Sequence, residues 1–304
     1  MSQERFRVWV GFVIVSWVWG STWLAIKIGL ESVPPMTGAG IRFALASVIL
    51  FAIVRIRHIE IPISTTLVRL YVYLILFSYA LPYGLVYWCQ QYIPSGLSSI
   101  LFGAYPLWVA LLSHFLLSSE RLDVYKSAGI VLGFVGVFII FSRDVHWSDS
   151  SGFIGMLGIL ASTIMQAFAL IMIKKYGHAV SPFSLNLVGM SFSALLLLIG
   201  GLVLESHSTI VWDGAAIGSI LYLAIIGSVL AFVTYHWLLK RVEAVYLSLV
   251  SFINPVIAVI LGALVLDETL SISVFAGAGL VFAGIGVANG RQLYAKFVTQ
   301  SPSP

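Results

Sequence analysis

Eight residues carry chemistry that is out of place in their surroundings. Trp19, Ser78, Tyr79, Tyr83, Tyr105, Gln166, Ser251 and Asn254 all lie inside long apolar runs. Three prolines, Pro82, Pro106 and Pro255, interrupt the same runs. A proline inside a helix has no N–H to give and pushes away the carbonyl four residues back. Here those carbonyls belong to Ser78, Phe102 and Ser251. Away from water, such a carbonyl must find a partner or face a wet cavity. Helices kinked beside amides, hydroxyls and rings can therefore build a binding cavity, in which polar groups hold the polar part of a ligand and rings hold the rest. Trp19 and Trp23 are four residues apart, and Tyr79, Tyr83 and Tyr87 repeat every four, so each set forms a column on one helix face. Trp9 fits an interfacial aromatic belt, but Trp19 is too deep for one. These groups bind rather than react. The sequence contains no metal cluster, nucleotide-binding loop or nucleophile triad, and the paired aspartate of an intramembrane hydrolase is absent. No catalytic residue, metal site or cofactor is expected, and the chain is not expected to be an enzyme.

The elements that position these residues follow from composition. The hydrophobic fraction is 60% and the charged fraction 9%, with a mean hydropathy of +1.03. Soluble domains are about a quarter charged, so the chain reads as an all-α protein of the lipid bilayer. The net charge of +4 is too dispersed for a nucleic-acid partner. The single cysteine, Cys89, rules out an intrachain disulfide. A spanning helix needs about 20 mostly apolar residues. Ten stretches qualify, at roughly 8–29, 36–56, 68–88, 96–117, 124–142, 152–174, 182–204, 214–238, 245–266 and 272–290. The first has no small-x-small cleavage site and reads as an uncleaved span.

The chain writes one of these stretches twice. Ser95 to Glu120 is echoed by Ala244 to Glu268: Ser99 falls on Ser248, Pro106 on Pro255 and, after a one-residue slip, Glu120 on Glu268. Gly129 and Gly136 fall on Gly277 and Gly284. The expected units are 1–145 and 150–292, each with five helices, followed by a disordered cytoplasmic tail at 293–304. An odd number of helices per unit inverts the second unit in the membrane, the arrangement in which two halves rock around a central midplane cavity. Lysine and arginine bias sets the orientation. With the N-terminus in the cytoplasm, 13 basic residues lie inside and only Lys27, Arg42 and Arg143 outside, which accounts for all 16. Small-residue faces, Gly129/Gly133, Gly279/Ala283 and Gly286/Gly290, let helices approach closely, within a monomer or across a homodimer.

VWGSTWLAIKIGLESVPPMTGAGIRFALA, from Val18 to Ala46, together with the two Pro…Glu…Gly blocks, resembles the EamA-type transporters of the drug/metabolite transporter superfamily. The resemblance covers nearly the whole chain and implies a ten-helix transporter of small metabolites. Length and aromatic content resemble the YddG-type amino-acid exporters within that superfamily. The halves are not equivalent: Gln166-Ala167-Phe168 stands where the first half has Trp19-Gly20-Ser21, and Gly189 stands near where Arg42 would recur.

The expectation is therefore an inner-membrane transporter working by alternating access on a small-molecule substrate, an amino-acid (including aromatic amino-acid) exporter or facilitator. Drug or nucleoside/nucleobase efflux is the rival within transport, and a non-transporting membrane scaffold the rival outside it. None of the twelve acids lies near the middle of a span. A buried carboxylate is the usual carrier in a proton antiporter, so facilitated transport is favoured. His114 and His236 read as hydrogen-bonded structural histidines. Lys27 reads as snorkelling to the interface, while Arg42 is deeper and could attract a carboxylate. Both termini should be cytoplasmic, so a reporter that is active only in the periplasm should be silent when fused after Arg291. Activity there would overturn the ten-helix reading.

Overall fold

The structure, a computed structural model, describes residues 3–116, 124–144, 150–241, 247 and 250–299. Its helical segments are α1 Gln3–Gly29, α2 Pro35–Ile56, α3 Thr65–Cys89, α4 Ser95–Leu116, α5 Val124–Asp144, α6 Ser150–Tyr176, α7 Pro182–Leu204, α8 Gly214–Leu239, α9 Val250–Leu266 and α10 Ile272–Thr299. Among the described residues, seven helices are long and apolar enough to cross a membrane: α1 to α4 and α6 to α8. Shorter apolar helices, Ser127–Ile140, Ile253–Leu266 and Ile272–Gly284, lie within α5, α9 and α10. The backbone of α10 stays helical to Thr299, where the sequence leads one to expect disorder from 293. The reason is local: from Gln292 to Gln300 the chain has neither glycine nor proline to stop it.

Helix ends are satisfied by side chains from distant parts of the chain. Pro35 and Pro182 start α2 and α7 in the first turn, where a missing N–H costs nothing. The Glu205 carboxylate, at the end of α7, accepts from Met36 N (2.6 Å), Thr37 N (2.9 Å) and Thr37 Oγ1 (2.7 Å) at the start of α2. Glu268, after α9, accepts from Ser95 N (2.8 Å), Ser95 Oγ (2.8 Å) and Gly96 N (3.1 Å) at the start of α4. A carboxylate on exposed helix N–H groups gains both hydrogen bonds and the favourable end of the helix dipole. Asp213 caps α8 by accepting from Ala216 N and also accepts from Ser32 Oγ, each at 2.7 Å. These bonds, Ala216 first, hold its carboxyl below the usual carboxylate range. The cap is therefore present at neutral pH and is lost only as pH falls through that lowered value.

Two pairs of helices five apart in order, α2 with α7 and α5 with α10, pack closely and run in opposite directions. On α2 and α7, Met36 faces Gly200 and Gly40 faces Leu198. On α5 and α10, Gly136 meets Gly277 and Gly129 meets Gly284. Gly279 and Gly286 have open space around them. The close approach between α5 and α10 therefore uses Gly277 and Gly284 rather than Gly279 and Gly286. A Cβ on Gly136 would lie 2.5 Å from the Gly277 carbonyl oxygen and 2.8 Å from Val281 N, both backbone atoms that cannot swing away. Overpacking typically costs about 1–3 kcal/mol. Gly136→Ala should therefore lower the melting temperature of the detergent-purified protein by several degrees, whereas Gly286→Ala should leave it unchanged.

Candidate functional site

Two helices break from α geometry in the middle of the bundle. α3 passes through a π-helical stretch at Ile75–Ala80, immediately before Pro82. α8 does the same at Leu223–Leu230 without any proline. A π turn shifts bonding from i→i+4 to i→i+5 and leaves backbone groups in need of partners. Partners come from the other half of the chain. Ser193 Oγ on α7 donates to the Ile75 carbonyl at 3.0 Å. Arg42 Nη2 on α2 donates to the Gly227 carbonyl at 3.3 Å.

Arg42 is only 1% exposed. Its Nε donates to Ser228 Oγ at 2.8 Å and its Nη1 to Tyr87 OH at 3.4 Å. The guanidinium carbon lies 4.9 Å from the Tyr83 ring centre and 5.4 Å from that of Phe43. The cation is thus held by neutral acceptors and two π faces rather than by a carboxylate. Lys27, two residues from the end of its span, donates its Nζ to the carbonyls of Gln90 and Ile93 just past the end of α3. It acts there as a C-terminal cap.

A cavity of about 60 Å³ lies between α1, α3, α4, α6, α8 and α9. Trp19, Ser78, Tyr105, Gln166 and Asn254 line it. Tyr79 and Tyr83 do not. Tyr79 is completely buried, donates to Asn186 Oδ1 at 2.6 Å and fills the space that Gly189 leaves open. Tyr83 is committed to Arg42 and lies in ring contact with Phe43. Both tyrosines also touch Phe232, which is part of the cavity wall. The side chain of Ser251 lies outside the described residues, as does Glu120. Of the three prolines, Pro82 follows the π turn of α3. Pro106 opens the second piece of α4 after a break at Gly103–Ala104, and Pro255 sits inside the continuous helix α9.

Sequence reasoning missed much of the aromatic wall: Phe102, Phe232 and Tyr235. It also read His236 as structural. His236 is 4% exposed, lines the cavity, and its Nδ1 has no partner. The indole Nε1–H of Trp19 has none either. Phe232, Tyr235 and His236 stand at i, i+3 and i+4, one helix face. That spacing was a usable signal. The other polar groups are partly spent. With its amide oriented to satisfy both contacts, Asn254 Nδ2 donates to Val250 O and Ser16 O, each at 3.0 Å. Among the described residues no charged side chain lines the cavity, and no cluster could hold a metal ion. A buried water needs roughly 15 Å³ by this measure, so the cavity as it stands holds a few waters and no larger solute. The arrangement is a small chamber lined by aromatic and aliphatic side chains, with two polar atoms waiting for partners.

The match to known proteins agrees with this architecture. The model of the EamA-like transporter family matches residues 7–142 and again 153–290. The chain belongs to that family, a family of membrane transporters with two such units. It is 28% identical over 279 residues to the uncharacterized transporter YoaV of Bacillus subtilis, covering 92% of this chain and 95% of that one. It is 31% identical over 291 residues to the uncharacterized inner membrane transporter YedA of Escherichia coli K12, covering 91% and 89%. A crystal structure with 19% identity superposes with a TM-score of 0.69 over 93% of this chain and 97% of that chain, a likeness of fold.

The Arg42 lock makes one stability test direct. Losing it leaves the Gly227 carbonyl and Ser228 hydroxyl unpaired in a buried setting, at about 1–3 kcal/mol for an orphaned group. Arg42→Met should depress the melting temperature clearly. Arg69→Met, at an exposed position on α3, should not.

Proposed function

We propose that the chain is an inner-membrane transporter of small zwitterionic or neutral metabolites, with amino acids, aromatic ones included, as the substrate class. On this reading, the ten helices form two inverted five-helix units, both termini are cytoplasmic, and the units rock around the cavity described above. Support for the inversion is geometric. The sequence repeat equates Gly129 with Gly277 and Gly136 with Gly284. Exchanging the units therefore turns the Gly136–Gly277 contact into the Gly284–Gly129 contact, and both contacts are present. The cavity, at about 60 Å³, must then widen to admit a solute.

The observation that carries the substrate class is the pair of unpartnered atoms, Trp19 Nε1–H and His236 Nδ1, in a chamber with no charged lining among the described residues. An isolated net charge is costly to bury there. A zwitterion brings both signs. Its carboxylate can accept from the indole N–H and the Ser78 hydroxyl, and its ammonium can donate to the Gln166 carbonyl and the imidazole. The rings of Phe102, Tyr105, Phe232 and Tyr235 then meet the side chain, with stacking worth about 0.5–1.5 kcal/mol beyond burial for an aromatic one.

The test is uptake into liposomes containing the pure protein, with labelled phenylalanine, glutamine and uracil offered separately. Amino-acid uptake above protein-free vesicles is expected. Trp19→Phe should reduce it about tenfold, the equivalent of one hydrogen bond of about 1.4 kcal/mol, while Gly286→Ala keeps full uptake. Uracil uptake without amino-acid uptake would move the substrate class to nucleobases. A protein that melts normally and carries none of the three would point to a scaffold.

A further inference from the structure

A second concavity lies away from the central cavity and is independent of what that cavity carries. It is a groove of about 460 Å³ between α1 and α8, closed at one end by Arg57 and Phe183. Its size falls within the range of ligand sites, and its lining is dominated by apolar side chains such as Val10, Ile14 and Val233. Gly11 gives the groove depth: a Cβ there would come within 3.3 Å of Thr234, so α1 lies close against α8 at that level.

The charges are confined to one end. Arg7 and Arg57 line the groove. Arg241 stacks on Trp237, a lining residue, with its guanidinium carbon 4.2 Å from the ring centre. All three arginines are exposed. Among the described residues none of them is paired with a carboxylate. Each stands within two residues of the end of a candidate span, Phe6–Gly29, Pro35–Ile56 or Gly214–Leu239. Spans end where hydrocarbon gives way to headgroups. The guanidinium groups are thus at headgroup depth, and the apolar groove runs from them towards the hydrocarbon.

We propose that this groove seats an anionic phospholipid. The lipid phosphate sits among Arg7, Arg57 and Arg241, where guanidinium groups can each make two hydrogen bonds to its oxygens. The acyl chains lie along Val10, Ile14 and Val233. A free phosphate ion would leave the apolar length of the groove unused, and a zwitterionic lipid would bring a choline cation against three arginines.

The experiment is native mass spectrometry of the detergent-purified full chain, with equimolar phosphatidylglycerol and phosphatidylcholine of identical acyl chains. Retention of phosphatidylglycerol over phosphatidylcholine by about tenfold is expected, a difference of about 1.4 kcal/mol. That preference should fall to near unity in Arg7→Gln/Arg57→Gln and persist in Arg69→Gln, whose arginine lies outside the groove. Val10→Trp, which blocks the acyl path but keeps the arginines, should reduce retention of both lipids. Inorganic phosphate at millimolar concentration should not displace the bound lipid. Melting curves of each variant separate a lost site from a lost fold. Equal retention of the two lipids by the wild type, or an unchanged preference in a folded double variant, would overturn the proposal. So would full displacement by inorganic phosphate.

Discussion

Every backbone N–H and carbonyl that leaves helical register inside a bilayer must be satisfied by the protein itself, and the rest of this structure follows from how that is done. The π turn of α3 carries Ser78, which lines the central cavity, and that of α8 ends two residues before the lining residue Phe232. Carbonyls within both turns receive bonds from distant side chains. Ile75 O is satisfied by Ser193 and Gly227 O by Arg42, each reaching across from the opposite half of the chain. The irregular backbone that makes room for a cavity is thus also what ties the two halves together.

The helices divide their labour accordingly. α5 and α10 approach so closely through Gly129, Gly133, Gly136, Gly277 and Gly284 that backbone lies against backbone. Without a hydrophobic drive between helices in lipid, such contact relies on van der Waals packing, and it tolerates no side chain. The six helices around the cavity carry the polar, aromatic and broken segments instead. Ends are tied by carboxylates outside the apolar zone, Glu205 on α2 and Glu268 on α4. These bonds link one half to the other at the surface, as Ser193 and Arg42 do in the interior.

How far the sequence made this legible depends on whether the signal was a residue type or a geometry. Helix positions were readable because 20 apolar residues have little alternative. The repeat was readable because proline, glutamate and glycine are each used for something few other residues can do. Trp19, Ser78, Tyr105, Gln166 and Asn254 stood out as polar or aromatic groups deep in apolar runs, and the structure places all five on one cavity. Tyr79 and Tyr83 stood out for the same reason, yet sit behind the wall: a helix with one exposed face has several buried ones, and spacing alone does not say which borders a void. The π turn in α8 has no proline in LAIIGSVL to mark it, only the pair Gly227-Ser228. Arg42, from another helix, donates to both of those residues. His236 looked structural because a lone imidazole usually is. Only the packing reveals that its Nδ1 was left without a partner.

The asymmetry between the halves is the last consequence. Arg42 on α2 pins the π turn of α8, whereas on α7 the corresponding region offers Gly189, with the Tyr79 ring of α3 packed into the gap and its hydroxyl held by Asn186. One interface is fastened by a fixed charge with several hydrogen bonds, the other by a ring, an amide and a serine. Around the cavity the same exchange recurs: Trp19 stands where the second half has Gln166, and Tyr105, before Pro106, stands where Asn254 precedes Pro255. A strictly symmetric pair would present the same group twice to any solute and suit a molecule with a two-fold axis. In each pair one half supplies a ring and the other an amide, and Phe232 and Tyr235 of the second half add further rings to the same wall. Divergence between the repeats thus changes which groups face the cavity, without disturbing the glycine contacts that keep the two halves together.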